Sequence, residues 1–137
     1  MFVNCSNHPS SSWTADQKTE AEKWGRIVDI SFPQVPAAAD EEKIQEMTDS
    51  MIAKIISLHP CAVMCQGEFT LTYAIVGELL RRGIHVVSAC SERDVIEERQ
   101  PDGSNRKIAR FRFVRFRSYQ AGNPFRDGGL RKLCVDD

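Results

Sequence analysis

The stretch CAVMCQGEFTLTYAIVGELLRRG, residues Cys61 to Gly83, joins two patterns across the short segment Gln66-Gly67-Glu68. Cys61 to Cys65 is apolar on both alternating faces, which is typical of a parallel strand buried inside a sheet. Apolar residues then recur at steps of three and four, and Gly83 is suited to a helix C-cap. The stretch predicts a buried strand followed by a helix over Phe69 to Arg82. The stripe expected to face the core is Phe69, Tyr73, Val76, Leu79 and Leu80.

The same alternation of strand and helix continues on both sides of this stretch. Further strands are predicted at Met1 to Cys5, Arg26 to Phe32 and Ile84 to Ala89, and further helices after the caps Thr14 and Asp40. Such alternation favours right-handed crossovers and a mostly parallel sheet covered by helices on both faces. The predicted fold is α/β, a small Rossmann-like three-layer sandwich.

The chain changes style after the fourth predicted strand. Asp94 to Arg99, a turn at Pro101-Asp102-Gly103 and Lys107 to Arg117 predict a C-terminal β-hairpin that extends one edge of the sheet. Arginines and phenylalanines alternate in its second half, and the alternation slips near Val114, as at a β-bulge. Either the phenylalanines face the core and the arginines face solvent, or bases stack on the aromatics while arginines hold phosphates.

Composition limits the classes of function. The chain has 137 residues and 42% hydrophobic content, which favours one domain, expected over residues 1–119 with a loosely ordered tail over 120–137. Lys+Arg 18 against Asp+Glu 19 gives no global field for a nonspecific nucleic-acid or membrane binder. No run approaches the about 20 apolar residues of a membrane span and no signal peptide is visible, so a cytoplasmic protein without a membrane partner is expected.

Neither a cofactor nor a metal is predicted. The five cysteines contain no CxxC pair and are expected to be reduced core thiols. Metal-binding histidine spacings, a nucleophile elbow and a dinucleotide fingerprint are all missing.

Candidate site residues follow three predicted strands, at the carboxyl edge where open α/β sheets bind ligands. Gly67 permits close backbone approach, and the amides near Thr70 could hold an anion at the helix N-terminus. The alternative is a tight turn in which Glu68 favours the helix N-terminus. Arg93 could clamp a phosphate, with Ser91 donating a hydroxyl, or could instead pair with a nearby carboxylate. His8 is open to either a structural or a catalytic role.

The segments NCSNHPSSSW, QGEFTLTYAIVGELLRRG and SACSER, in this order of elements over residues 1–119, resemble small CRISPR-associated Rossmann-fold proteins of the CARF-like and ring-nuclease group. The resemblance implies a homodimer that binds a cyclic oligoadenylate across its twofold axis and, in some members, cleaves the ring without a metal. It implies ligand-binding roles for Ser6, Asn7, Gln66, Gly67, Thr70 and Ser91, and catalytic roles for His8, Glu68 and Arg93. Arg93 would steady the developing charge, and His8 or Glu68 would move a proton.

Three functions are therefore open at the level of sequence. The first is a homodimeric nucleotide-binding protein that takes a phosphate-bearing ligand. If the protein is a ring nuclease, it also cleaves that ligand. The second is a small-molecule enzyme acting on a nucleoside or sugar phosphate, with Glu68 as base or nucleophile. The third is a non-catalytic interaction module whose hairpin mediates assembly.

Overall fold

A computed structural model of the chain describes residues 1–121, which form one five-stranded sheet and three α-helices. The strands are β1 (Phe2–Ser6), β2 (Ile27–Ser31), β3 (Ala62–Gln66), β4 (His85–Arg99) and β5 (Asn105–Ser118), and the helices are α1 (Ala15–Glu22), α2 (Glu41–Ser57) and α3 (Phe69–Arg81). The strand order is β2-β1-β3-β4-β5, with β1 to β4 parallel and β5 antiparallel to β4. The chain therefore has an α/β fold.

Helices cover the two faces of the sheet unequally. On one face, called here the α1 face, Phe2 and Val87 pack with Ala21 of α1. On the other, the α2/α3 face, Val3 packs with Ile55 of α2 and Leu71 of α3. The central strands β1 and β3 are buried on both faces, which explains why β3 is apolar from Ala62 to Cys65 and why β1 is apolar apart from Asn4 and Ser6. Among residues 1–121, no helix is both long and apolar enough to cross a membrane.

Both predicted helix caps are confirmed. The Thr14 hydroxyl accepts a hydrogen bond from the Gln17 amide at 3.4 Å, and the Asp40 carboxylate accepts one from the Lys43 amide at 2.9 Å. Each bond satisfies an amide that has no partner within the first turn of its helix. These caps fix the starts of α1 and α2.

The predicted buried stripe of α3 is wrong in its first turns. Phe69 and Tyr73 are 90% and 84% exposed, whereas Leu71 and Ile75 are fully buried. Because α3 is apolar around most of its circumference, spacing alone could not choose which face meets the sheet. The outer side of α3 thus presents two large aromatic rings to solvent.

The predicted end of the fourth strand at Ala89 is also wrong, since β4 continues to Arg99. It pairs with β3 only from His85 to Val87, and beyond that point its described partner is β5 alone. Residues Ser91–Arg99 and Asn105–Phe113 form a two-stranded hairpin, called here the ribbon, that continues past the carboxyl ends of β1 and β3. The predicted hairpin is confirmed, but its first strand is an extension of β4.

The slip predicted near Val114 is confirmed as a β-bulge. Cys90 pairs with Arg115 and Ser91 pairs with Phe113, so Val114 has no opposite residue. The extra residue places Phe113 and Phe116 on the same face with ring centroids 4.9 Å apart. Phe113 is buried and Phe116 packs against the core of the α1 face, while Phe111 on the ribbon is 70% exposed.

Candidate functional site

The carboxyl edge of the sheet brings four of the predicted site residues to the α1 face. Ser6 and Gln66 are direct register partners on β1 and β3. Gln66 lies level with Ala89 of β4, and Ser91 and Arg93 follow on the same face because side chains alternate along a strand. Ser6, Gln66, Ser91 and Arg93 therefore line one face.

A buried asparagine organises the loop that follows β1. Asn4 is 1% exposed, and its Nδ2 donates to the His8 carbonyl at 2.8 Å and to the Asp29 carboxylate at 2.9 Å. The Ser6 hydroxyl donates to Asn4 Oδ1 at 2.7 Å. Asp29 also accepts hydrogen bonds from the Ser10 amide and hydroxyl. This network fixes the loop, although neither Asn4 nor Asp29 is among the site residues predicted from the sequence.

The loop holds His8 by its backbone and leaves its ring exposed. The His8 carbonyl accepts hydrogen bonds from Asn4 Nδ2 and from Trp13 Nε1 at 3.2 Å, and the His8 amide donates to the Ser6 hydroxyl oxygen at 3.2 Å. The side chains of Asn7 and His8 are exposed. Ser6 is thus engaged in positioning the loop, whereas Asn7 and His8 are presented to solvent. A cavity of about 200 Å³ lies beside them, between the ends of β1 and β2.

Gln66 completes the sheet where β3 ends. Its Oε1 accepts a hydrogen bond from the Ala89 amide at 2.7 Å, in the position that a further residue of β3 would otherwise occupy. The bond fixes the carboxamide at the edge, and its Nε2 group can still donate to a ligand.

Gly67 is required by the core. A Cβ atom at this position would lie 2.4 Å from the ring of Phe32, which is 6% exposed. The predicted close approach to the Gly67 backbone is therefore made by Phe32. Only glycine leaves room for that ring.

Glu68 caps α3 with its own side chain. Its carboxylate accepts hydrogen bonds from the amides of Thr70 at 3.0 Å and Leu71 at 2.8 Å, and from the Thr70 hydroxyl. The hydrogen bond from the Leu71 amide has the largest effect on the Glu68 carboxylate. Together with the hydrogen bonds from Thr70, it lowers the pKa of Glu68 below its ordinary value. The anion held at this helix N-terminus is Glu68 itself, which is the alternative reading of the Gln66-Gly67-Glu68 segment.

The cap makes a prediction about pH. Because the folded-state pKa of Glu68 is lowered, its stabilising effect is fully present above the ordinary value of 4.5 and is lost as the pH falls through the lowered pKa. Glu68→Gln should decrease Tm by a few degrees at pH 7, and the difference from wild type should shrink between pH 5 and about pH 3. Thermal melts across this range test it. A difference that does not change with pH would contradict the capping role.

Ser91 and Arg93 lie on the ribbon, within β4, and do not follow the end of a strand as predicted. Ser91 is opposite Phe113 and Arg93 is opposite Phe111. The carboxylates of Glu92 and Asp94 point to the other face, where Arg112 approaches them at 2.6 Å and 3.4 Å. Within the described residues, the exposed Arg93 therefore has no ion pair.

The cysteines provide no candidate chemistry at this edge. Cys5 and Cys65 are register partners, both fully buried on the α2/α3 face. The hydrogen bond with Cys5, together with burial, raises the pKa of the Cys65 thiol. Over residues 1–121, no three His, Cys, Asp or Glu side chains are grouped closely enough to hold a metal ion.

The three predicted catalytic residues do not lie together in the structure. His8 and Arg93 belong to the α1 face, whereas Glu68 begins a helix on the α2/α3 face.

Comparison with known proteins gives one match. No curated protein and no solved structure matches the chain. A family model matches residues 1–117, nearly all of the described fold, and the chain belongs to the uncharacterized protein MJ1673 family.

Proposed function

We propose that the chain is a nucleotide-binding protein that takes a phosphate-bearing ligand at the carboxyl edge of its sheet, on the α1 face. The observation that carries this proposal is Arg93, an exposed guanidinium with no carboxylate partner in the described residues, on the same face as Ser91 and Gln66. An arginine of this kind can bind a phosphate through two parallel hydrogen bonds.

A Rossmann-like fold is part of the proposal and is supported by the strand order. The strand β1 lies between β2 and β3, so the connections leaving β1 and β3 depart to opposite faces, through α1 and α3. In doubly wound sheets this reversal creates the crevice in which ligands bind. Ser6 and Gln66 lie on its two sides.

A cyclic oligoadenylate is the ligand class that we propose, from the resemblance to the CARF-like proteins together with the exposed Asn7, His8 and Arg93 side chains. The cavity between the ends of β1 and β2, about 200 Å³, does not include Arg93 and is smaller than the roughly 300–1,000 Å³ of ordinary ligand pockets. A ring of several nucleotides would therefore need a second copy of the chain, so we propose a homodimer.

Binding is better supported than ring cleavage. The Glu68 carboxylate is engaged by two amides and is correspondingly a weaker base. His8 and Arg93 are the two candidate catalytic residues that share the α1 face, and cleavage would depend on them. The same reasoning weakens a small-molecule enzyme that uses Glu68 as its base.

The proposal predicts that Arg93→Ala weakens binding of cyclic tetra-adenylate or cyclic hexa-adenylate by about tenfold or more, because a charge-assisted phosphate contact is lost. Arg99→Ala is the matched control, on the same strand and face but about 20 Å farther along the ribbon. Calorimetric titration, with AMP and a linear oligoadenylate alongside, measures the effect. Equal affinity for wild type and Arg93→Ala would remove Arg93 from the site.

Two further readouts separate the remaining functions. Chromatography of the incubated ring detects conversion to a linear product, which would make the protein an enzyme. Light scattering of the eluting protein gives its oligomeric state, and a monomer that binds the ring with full affinity would overturn the shared site. If none of the nucleotides binds, the proposal fails.

A further inference from the structure

A row of arginines follows β5 on the α2/α3 face. Residues opposite one another on β4 and β5 share a face. Because Val114 is the extra residue of the bulge, the arginines before it and those after it lie on the same face. Arg110 and Arg112, like Arg115 and Arg117, are about 6.8 Å apart, whereas Arg106 lies about 14 Å from Arg110 because Ile108 stands between them. The row consists of Arg106, Arg110, Arg112, Arg115 and Arg117.

Most of this positive charge is not neutralised within the fold. Arg112 pairs with Glu92 and Asp94 across the ribbon. The other four arginines are exposed, and in the described part of the chain none lies within ion-pair distance of a carboxylate. Glu98 is the remaining acidic residue that β4 places on this face, opposite Arg106.

The net charge also differs in sign between two parts of the chain. Residues 88–118, which include the ribbon, carry eight basic and five acidic side chains, whereas residues 1–87 carry seven basic and eleven acidic ones. The near-zero net charge of the whole sequence therefore conceals a locally basic surface, which is the kind of surface that polyanions recognise.

An aromatic groove continues from the base of the row on the same face. It has a volume of about 800 Å³ and lies between α3 and the segment that leaves β5. Phe69, Tyr73 and Tyr119 line it and are 90%, 84% and 37% exposed. Thr72 also lines the groove, and its hydroxyl is buried without a hydrogen-bond partner among the described residues. The groove thus offers aromatic surfaces on which bases can stack.

We propose that this face binds single-stranded nucleic acid, with phosphates along the arginine row and bases stacked in the aromatic groove. Proteins that bind single strands combine these two elements, a basic track for the backbone and aromatic rings for the bases. An acidic peptide would use the arginines but would leave the exposed rings of α3 without a role. The site lies on the opposite face from Arg93 and does not depend on the proposed cyclic-nucleotide function.

The test measures fluorescence anisotropy of a labelled oligouridine and an oligothymidine of about 15 nucleotides with the full chain. Arg110→Ser combined with Arg117→Ser should weaken binding about tenfold or more. It should also decrease the slope of log affinity against log salt by about 1.4, since each single-strand phosphate contact contributes about 0.7. The matched control, Arg99→Ser with Lys107→Ser, removes equal charge from the other face of the same hairpin and should change affinity less than about threefold.

Stacking is tested separately with Tyr73→Ser, because the Tyr73 ring is exposed and contributes little to the core. This variant should weaken binding about tenfold with the salt slope unchanged. Equal losses from the two double variants, or competition by polyglutamate as strong as by unlabelled oligonucleotide, would overturn the proposal. So would absence of binding by wild type at low salt. Cyclic tetra-adenylate titrations of the same variants should match wild type, which keeps failure here distinct from failure of the proposed function.

Discussion

Gly67→Val is expected to destabilise the protein by about 3 kcal/mol, because two methyl groups and a Cβ would be forced into the space occupied by the Phe32 ring. The Cβ atom alone would come within 2.4 Å of that ring, in a core cluster that contains Val63 and Leu71. The ring belongs to this packed core cluster, so it can make room for the added atoms only by losing contacts with its neighbours. Urea unfolding followed by circular dichroism measures the loss.

Two companion variants make this prediction specific to the contact. Gly77 lies within α3, and a Cβ there would meet only Arg81 Nη1 at 3.7 Å, so Gly77→Ala should stabilise the helix by about 0.5–1 kcal/mol. Phe32→Ala should be destabilising by itself but should reduce the additional cost of Gly67→Val, since it removes the clashing ring. Strictly additive effects of Phe32→Ala and Gly67→Val would refute the proposed clash.

Asn4→Asp is expected to cost about 3–5 kcal/mol at pH 7, because it places in a buried site beside Asp29 a carboxylate of which only one oxygen has a donor, the Ser6 hydroxyl. The Nδ2 group that now donates to the His8 carbonyl and to Asp29 would become an oxygen facing two other oxygens. Burial and the neighbouring like charge would raise the pKa of the new carboxyl group in the folded state. The destabilisation should therefore be smallest below about pH 4 and should increase as the pH rises.

The neighbouring loop residue provides the matched control for this change. Asn7→Asp introduces the same atoms at an exposed position and should alter the unfolding free energy by less than about 0.5 kcal/mol. Denaturant unfolding at several pH values distinguishes the two sites. A small effect of Asn4→Asp that does not depend on pH would show that Asn4 is not the centre of the loop network.

The sequence predicts the alternating core of this fold well because its central strands are largely apolar and the helices α1 and α2 begin at clear caps. It fails on α3, where Phe69 and Tyr73 have the same helical spacing as Leu71 and Ile75, so periodicity cannot separate a solvent-facing stripe from a buried one. It also fails at Ser91 to Arg93. Ser91-Glu92-Arg93 contains no apolar residue, because this part of the ribbon is exposed on both faces, so it lacks the apolar alternation by which a strand is recognised.

The candidate site shows the same limit at the level of single residues. Ser6, Gln66, Ser91 and Arg93 could be grouped from the order of the strands alone, because parallel strands present their carboxyl ends at one edge. Asn4 and Asp29 could not, since their importance depends on strand register. Likewise, the role of Gly67 depends on Phe32, which is distant in sequence and which the fold places against it.

The ribbon gives this nearly neutral chain an electric dipole. Basic residues outnumber acidic ones in residues 88–118, which include the ribbon. Acidic residues outnumber basic ones in residues 1–87, which form the helices and most of the sheet. A molecule of this kind orients before it collides, so the ribbon should lead in any encounter with a polyanion, and association should slow at high ionic strength despite the small net charge. For the same reason it should be retained by both cation and anion exchangers near neutral pH, which the isoelectric point alone would not predict.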